Sequence, residues 1–250
     1  MSDSDAVPVP AGDPPPLVPP PTFLAAAEEA GLAFEADELA RLGAYLARLL
    51  DANTRFNLTR IVDPAEAWTR HVLDSLTLLP WVLQSEAERL LDVGSGGGLP
   101  GIPLAIAAPH VTVTLLEATG KKARFLEEVA VALRLDNVTV VRDRAETLAH
   151  DRDGHREAYD VVTSRAVGRL PVLLELTVPF VRRGGLVLAI KGEQAEQEIE
   201  ESAGALGTLM ARPVDAVRTS TGTVVVIEKT GRTPRTYPRR PGEPRRVPLH

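Results

Sequence analysis

A glycine-rich stretch between two apolar runs contains the residues of this sequence whose types and spacing could do chemistry. Residues 90–118 read LLDVGSGGGLPGIPLAIAAPHVTVTLLEA. Gly94, Gly96 and Gly98 allow the backbone to turn tightly and to approach a ligand, because glycine has no Cβ. Prolines after the glycines predict a helix start, whose positive N-terminal end would face the same ligand. Glu117 closes the second run, where its carboxylate could accept two hydrogen bonds from a ribose diol. The unit predicts a nucleotide-type cofactor.

Asp92 bears on the choice between two cofactor chemistries. It stands two residues before Gly94, which gives the pattern Asp-x-Gly-x-Gly-x-Gly that is typical of class I S-adenosylmethionine-dependent methyltransferases. A nicotinamide-dependent oxidoreductase would also need a second substrate region and an acid or base for hydride transfer. The histidines offer little for that role; they stand at positions 71, 110, 150, 155 and 250. The pattern favours methyl transfer, with the oxidoreductase as the alternative.

The composition is that of one ordinary globular domain with appendages. The 250 residues are 44% hydrophobic and 25% charged, and no apolar run approaches the roughly 18 residues that suggest a membrane span. The proline-rich start lacks the basic and apolar regions of a secretory signal. Cysteine is absent, which excludes disulfides, thiolate nucleophiles and cysteine metal ligands. We expect a cytoplasmic protein that binds neither a membrane nor a metal.

The elements that must position these residues follow from apolar periodicity. Leucines at helical spacing predict a helix over residues 36–52. Asp63-Pro64-Ala65-Glu66 predicts the start of a second helix, which reaches about Leu79. Further on, apolar runs predict strands over residues 89–93, 111–116, 138–141, 159–163 and 185–190. Helices alternate with these strands, among them 121–134 and a segment opened by Pro171.

Two last apolar runs, over residues 212–219 and 223–229, flank a short turn and predict an antiparallel hairpin at one sheet edge. The predicted fold class is therefore α/β. It is a Rossmann-like, doubly wound, mostly parallel sheet with a C-terminal antiparallel hairpin, preceded by an N-terminal helical cap.

Composition and pattern divide the chain into four parts. They are a disordered proline-rich tail over 1–22, a helical cap over 23–80, a methyltransferase domain over 81–230 and a disordered arginine- and proline-rich tail over 231–250. The last part carries six arginines against one glutamate, while the rest of the chain is acidic. Such a tail could attract a polyanion such as RNA. The alternative is a solvated end without a specific role.

Short motifs then occur in the order typical of one bacterial family. They are FNLT at 56–59, RHVLDSL at 70–76, DVGSGGGLPGIPLAI at 92–106, KKARFL at 121–126, RAE at 144–146, SRAV at 164–167 and AIKG at 189–192. Over about residues 23–229 the set closely resembles the RsmG (GidB) family, which methylates guanine N7 in 16S ribosomal RNA. The resemblance implies S-adenosyl-L-methionine as cofactor and 16S ribosomal RNA of the small ribosomal subunit as partner. We expect a monomer.

The residue types fit that target. Enzymes that methylate exocyclic amines usually carry an Asn/Asp-Pro-Pro-aromatic loop after the fourth strand, where this chain has Ser164-Arg165-Ala166. Methylation of pyrimidine C5 typically needs a cysteine, and there is none. Guanine N7 has a lone pair and no proton, so catalysis needs positioning rather than a general base. A non-catalytic RNA-binding or ribosome assembly factor with the same fold is the second alternative.

The resemblance also implies which residues contact the cofactor. The set is Asp92, Gly94, Gly96, Gly98, Leu99, Glu117, Ala145, Glu146 and Arg165. Within it, Glu117 would hold the ribose diol, and Ala145 and Glu146 would lie beside the adenine.

Arg165 of this set and several polar residues outside it are candidates for catalysis and for RNA contact. Arg144 and Arg165 could hold the cofactor carboxylate or an RNA phosphate, or could form surface ion pairs. Asn57 could read the guanine edge, or could stabilise a turn. His71 is interpreted as a packing or hydrogen-bonding residue. The candidates for RNA phosphates are Lys121, Lys122, Arg124 and Lys191, with solvated helix starts as the alternative.

Overall fold

One mostly parallel sheet forms the centre of the fold in a computed structural model, which describes residues 14–165 and 167–249. Within these residues the strands are β1 (Arg89–Val93), β2 (Thr112–Leu116), β3 (Val138–Val141), β4 (Tyr159–Arg165), β5 (Val181–Lys191), β6 (Ala211–Arg218) and β7 (Thr223–Lys229). Their order across the sheet is β3-β2-β1-β4-β5-β7-β6. The first five are parallel, and β7 is antiparallel to β5 and β6. The predicted α/β fold with its C-terminal hairpin is confirmed.

Helices alternate with the strands as the periodicity predicts. In the described residues they are α1 (Pro21–Glu29), α2 (Ala36–Asn53), α3 (Pro64–Ala67), α4 (Asp74–Leu76), α5 (Leu79–Gln84), α6 (Gly101–Ala107), α7 (Gly120–Ala132), α8 (Ala145–Leu148), α9 (Leu170–Thr177), α10 (Ala195–Glu201), α11 (Ala203–Leu209) and α12 (Glu243–Arg246). A π-helical turn (Trp68–Leu73) joins α3 to α4, and a 3₁₀ turn (Val178–Phe180) precedes β5. None of the helices described is both long and apolar enough to span a bilayer.

The helices cover both faces of the sheet. Successive strand residues point to opposite faces, so Leu90 in β1 packs among the cap helices, α6 and α7, whereas Leu91 packs among α8, α9 and α11. Phe23 of α1 and Trp68, whose ring centroids lie 4.8 Å apart, are buried in the same cluster as Leu90. The helical cap therefore shares one hydrophobic core with the sheet.

The second cap helix is not continuous, and the prediction of one helix from Asp63 to about Leu79 is wrong in this respect. Its start is as predicted, because the Asp63 side chain accepts a hydrogen bond of 2.7 Å from the N–H of Glu66. A π turn then follows, and apolar periodicity over six residues does not distinguish it from an α turn. This segment places the side chains of His71 and Asp74 in the protein interior.

The C-terminal segment, residues 231–249, is folded, in contrast to the disorder predicted for it. It leaves β7 at the amino-terminal edge of the sheet and packs against α8 and α9. Arg239 forms an ion pair with the fully buried Glu175 on α9, with Nη2 and Oε2 2.6 Å apart. The sequence signal misleads here because the segment is held by ion pairs and hydrogen bonds to distant residues, which require no apolar periodicity.

Most of the predicted N-terminal tail, residues 1–13, lies outside the described residues. Residues 14–20 have no regular structure but lie against α2, where the N–H of Leu17 donates to the carbonyl of Gly43 over 3.1 Å. The carbonyl oxygen of Leu17 lies 2.2 Å from the place where a Cβ on Gly43 would stand.

Because β1 to β5 are parallel, their carboxyl ends lie at one edge of the sheet.

Candidate cofactor and acceptor site

The glycine loop lies between β1 and α6 and has the backbone conformation that the sequence predicts. Gly94, Gly96 and Gly98 have φ angles of 74°, 58° and 99°, values that residues with a side chain rarely adopt. The carbonyl of Leu116 accepts the N–H of Gly94 over 2.9 Å, which fixes the loop to the end of β2. A Cβ on Gly96 would approach nothing closer than the Gly94 oxygen at 3.8 Å. The loop therefore leaves open space at Gly96.

Glu117 joins the glycine loop to the end of β2. Its Oε2 accepts the N–H of Gly96 over 3.0 Å, and its Oε1 accepts the N–H of Thr119 over 2.7 Å. Each carboxylate oxygen has a second lone pair, so the buried side chain can still accept two hydrogen bonds from a diol. The open space at Gly96 and these remaining acceptors fit the ribose part of S-adenosylmethionine.

Replacing Glu117 with alanine should weaken cofactor binding at least about tenfold, because each ribose hydrogen bond to a carboxylate contributes roughly 1.5 to 3 kcal/mol. Turnover of the saturated enzyme should fall much less, since the ribose lies away from the reacting methyl group. Calorimetric titration with S-adenosylmethionine measures the first effect and steady-state kinetics the second. Glu127→Ala, at an exposed position of α7, is the matched control. An unchanged dissociation constant for Glu117→Ala would show that the diol is held elsewhere.

Asp92 lies beneath the loop rather than at its surface. The side chain is fully buried and accepts hydrogen bonds of 3.2 Å from the N–H of Gly101 and from the Thr163 hydroxyl. Burial raises the pKa of Asp92 to about 7, although these hydrogen bonds oppose the change. Its position indicates that Asp92 holds the start of α6 and the adjacent strand together.

Tyr45 is a site residue that the sequence did not single out. It lies on α2 of the cap, is fully buried, and its hydroxyl donates to the carbonyl of Gly97 over 2.8 Å. Burial raises the pKa of Tyr45 well above its ordinary value, so the hydroxyl remains a donor. Leu49 of the same helix comes within 2.7 Å of where a Cβ on Gly97 would stand. In the sequence, Tyr45 is only one more nonpolar residue of an amphipathic helix.

Residues at the start of α8, which follows β3, lie at the same edge of the sheet. Ala145 and Glu146 are buried, and Oε1 of Glu146 accepts the N–H of Gly242 from the C-terminal segment over 2.9 Å. Arg144 is exposed at the start of α8. The role of Gly242 had no signal in the sequence, since it lies 96 positions from its partner.

A pocket of about 290 Å³ opens between the cap and the ends of β4 and β5. Its lining includes Arg70, Asp74, Arg165, Ile190, Lys191 and Thr221. Oδ2 of Asp74 lies 3.3 Å from Nε of Arg165, and the Thr221 hydroxyl donates to Oδ1 of Asp74 over 2.5 Å. Burial raises the pKa of Asp74, and the charge of Arg165 opposes this. The pocket thus presents an acidic acceptor beside cationic donors.

His71 lies near this pocket but is not arranged as a base. Its ring nitrogens contact the Thr59 hydroxyl at 2.8 Å and the Arg70 carbonyl at 3.1 Å. Burial, together with the nearby charge of Arg165, lowers the pKa of His71 to about 4. The ring is therefore neutral at pH 7, and its contacts agree with the interpretation of His71 as a hydrogen-bonding residue.

The other predicted polar residues are spread along this edge. Asn57 is exposed in the loop after α2, and it is Asn53 whose side chain accepts the N–H groups of Leu58 and Thr59 at 2.8 and 2.9 Å. Lys121 and Arg124 are exposed on α7, and Lys122 is half-buried there. Ala166 lies outside the described residues.

The ammonium group of Lys191 is engaged in contacts within the protein, whereas a lysine that binds RNA phosphates would need this group exposed. Its Nζ lies 2.7 Å from Oε2 of Glu198 and donates to the Gly168 carbonyl over 2.8 Å. Among residues 14–165 and 167–249, no group of three or more histidine, aspartate or glutamate side chains is arranged to hold a metal ion.

The sheet order, the glycine loop and the acidic residue that follows β2, Glu117, together define a class I S-adenosylmethionine-dependent methyltransferase. Solved structures with this fold are similar to the chain. The O-methyltransferase TomG from Streptomyces achromogenes, in complex with SAM, has a TM-score of 0.58 at 18% identity, over 83% of this chain and 96% of that chain. An O-methyltransferase from Bacillus cereus, in complex with SAH, has a TM-score of 0.56 at 18% identity, over 82% and 97%.

Sequence comparison identifies the family. A family model described as rRNA small subunit methyltransferase G matches residues 38–223. A relative from Sorangium cellulosum, named Ribosomal RNA small subunit methyltransferase G, is 51% identical over 96% of this chain and its own full length. Relatives of the same name from Desulfitobacterium hafniense and Bacillus subtilis are 43% and 36% identical over 85% and 91% of the chain, and 90% and 97% of their own lengths. The chain belongs to the rRNA small subunit methyltransferase G family. Its cofactor is S-adenosylmethionine, and the oxidoreductase alternative is wrong.

Proposed function

We propose that this enzyme transfers the methyl group of S-adenosylmethionine to N7 of a guanine in 16S ribosomal RNA of the small ribosomal subunit. Family membership supports ribosomal RNA as the substrate, because the relatives carry that substrate in their names. The pocket beside β4 and β5 is the observation that supports guanine. It lies at the carboxyl edge of the sheet, where α/β folds bind their ligands.

The pocket offers the kinds of groups that recognise guanine. The Watson–Crick edge of guanine has N–H donors at N1 and N2 and an acceptor at O6. Asp74 could accept from the donors, and an arginine could donate to O6. Nη1 of Arg165 is buried and has no hydrogen-bond partner within the described part of the chain, so it has a donor to give to a ligand. In this arrangement N7 remains free of protein contacts and can face the methyl donor.

The residues around the pocket suit a reaction that needs no proton transfer before attack. Bound S-adenosylmethionine would supply a methyl group on a positively charged sulfur. Guanine N7 would bond to that methyl with its own lone pair while the methyl–sulfur bond breaks and its electron pair returns to sulfur, which leaves S-adenosylhomocysteine and a positive charge on the base. The glycine loop and Glu117 hold the donor, while Asp74 and Arg165 hold the acceptor base. The rate enhancement then comes from alignment of the two and from exclusion of water. His71, which is buried and neutral, has no required part in the transfer.

The test is methylation of small ribosomal subunits prepared from cells that lack this activity. Digestion and mass mapping should find 7-methylguanosine at one position of 16S ribosomal RNA. Asp74→Asn should lower kcat/KM for the subunit while S-adenosylmethionine affinity stays unchanged. Methylation at a pyrimidine or an exocyclic amine would contradict the proposed target. Cofactor binding with no methyl transfer to free RNA, precursor particles or mature subunits would favour the non-catalytic assembly factor instead.

A further inference from the structure

The C-terminal segment, residues 231–249, is held on the enzyme by the buried carboxylate of Glu175 and by the guanidinium of Arg156. Glu175 on α9 is fully buried, and its carboxylate accepts hydrogen bonds from the backbone N–H and the guanidinium of Arg239 over 2.6 to 3.2 Å. Arg156 donates from its guanidinium to the carbonyls of Thr233, Pro234 and Tyr237 over 2.9 to 3.2 Å. A buried carboxylate needs such a partner. The segment is therefore fixed in place rather than freely tethered.

The docked segment crosses the helix layer and reaches the cofactor site. Near its start, the N–H of Thr233 donates to Glu157, which precedes β4 at the amino-terminal edge of the sheet. Further along, the N–H of Gly242 donates to Glu146, which follows β3 at the carboxyl edge. Arg245 donates to the carbonyl of Val167 over 3.3 Å. Val167 is itself the residue that a Cβ on Gly94 would meet, at 2.8 Å.

Three arginines of the segment remain available at that edge. Arg240, Arg245 and Arg246 are exposed. Arg240 and Arg246 have no side-chain hydrogen bond or ion pair to other described residues, and Arg245 keeps most of its donors free after the contact with Val167. The nearest acidic residue in sequence, Glu243, is paired with Arg239 and not with these three arginines; its Oε1 lies 4.0 Å from Nη1 of Arg239.

We propose that Arg240, Arg245 and Arg246 form a phosphate-binding surface that holds the ribosomal RNA backbone beside the methyl donor. The inference rests on the proposed function, because a phosphate polymer must accompany the acceptor base into the site. Guanidinium groups bind phosphate oxygens in pairs of parallel hydrogen bonds. Because the segment is anchored by Glu175 and Glu146, these cations would set the position of the RNA and not only raise its local concentration.

Two matched variants each remove three positive charges, one variant at the carboxyl edge of the sheet and the other at the amino-terminal edge. R240Q/R245Q/R246Q alters the proposed surface. R134Q/R152Q/R183Q is the control, since these three arginines are exposed and lie in or near the connections that lead into β3, β4 and β5 at the amino-terminal edge. Full-length proteins are compared by binding of undermethylated small ribosomal subunits at several salt concentrations, by kinetics of methyl transfer and by calorimetry with S-adenosylmethionine.

We expect R240Q/R245Q/R246Q to raise the dissociation constant and KM for the subunit at least about tenfold near physiological salt. The slope of log affinity against log salt should flatten by about 2, since each phosphate contact contributes roughly 0.7 to 0.9. Cofactor affinity and melting temperature should not change. The control should match the wild type in every measurement.

Equal affinities and salt slopes for wild type and R240Q/R245Q/R246Q would overturn the inference, and so would an equal loss in R134Q/R152Q/R183Q. The binding measurement does not depend on the position that is methylated. A loss of subunit binding together with methylation at another base would therefore overturn the proposed target alone. Guanine N7 methylation with unchanged binding would overturn the phosphate surface alone.

Discussion

Gly96→Leu is expected to raise the dissociation constant for S-adenosylmethionine by more than about 100-fold. Space for a Cβ exists at Gly96, with the nearest atom at 3.8 Å, and we expect the cofactor to occupy this space. A leucine side chain would occupy it. The φ angle of 58° adds backbone strain, and the N–H of Gly96 would lose its place opposite Glu117. S-adenosylhomocysteine should lose affinity in parallel, because it shares the ribose and adenine.

Calorimetry with both methionine cofactors and with NAD measures this effect, and circular dichroism and thermal melting establish that the fold is intact. Gly31→Leu is a matched control, since Gly31 has a φ angle of 71°, has open space around it and lies in the turn between α1 and α2. It should bind both methionine cofactors as the wild type does. The cofactor site would be misplaced if Gly96→Leu kept full affinity, and the wild type should show no heat of binding with NAD.

Arg239→Ala is expected to destabilise the whole domain by about 3 to 5 kcal/mol, the usual effect of leaving a buried charge without its partner. Glu175 is 0% exposed, and Arg239 supplies both guanidinium hydrogen bonds and the ion pair to it. Urea unfolding of the full-length protein measures the loss as a lower midpoint. Limited trypsin digestion should also become faster within residues 231–249, because the segment loses its main anchor.

Arg240→Ala, at the next position, is the matched control. Arg240 is exposed, so its removal should change stability by no more than about 0.5 kcal/mol. The double variant Glu175→Met with Arg239→Met should recover most of the stability, since an apolar pair of similar size avoids an unpaired buried charge. If Arg239→Ala and Arg240→Ala unfolded at the same urea concentration, the segment would be detached in solution, as its composition predicts.

The sequence by itself determined the sheet and the cofactor loop because both depend on local backbone requirements. Positive φ angles need glycine, which marks Gly94, Gly96 and Gly98. Strands buried on both faces need continuous apolar runs, and helices on one face need apolar residues at helical spacing. Glu117 was predictable as well, because the end of β2 lies beside the end of β1 in any sheet of this order.

Only the tertiary structure decided which distant polar groups meet. Asp74 and Thr221 lie 147 positions apart, Glu175 and Arg239 lie 64 apart, and Tyr45 reaches Gly97 across 52. An ion pair or a side-chain hydrogen bond between such residues produces no periodic pattern in the sequence. It depends on where two elements pack against each other and not on the spacing of apolar residues within either element. For the same reason the arginine- and proline-rich segment resembles a disordered tail in its composition, although buried carboxylates of the domain hold it in place.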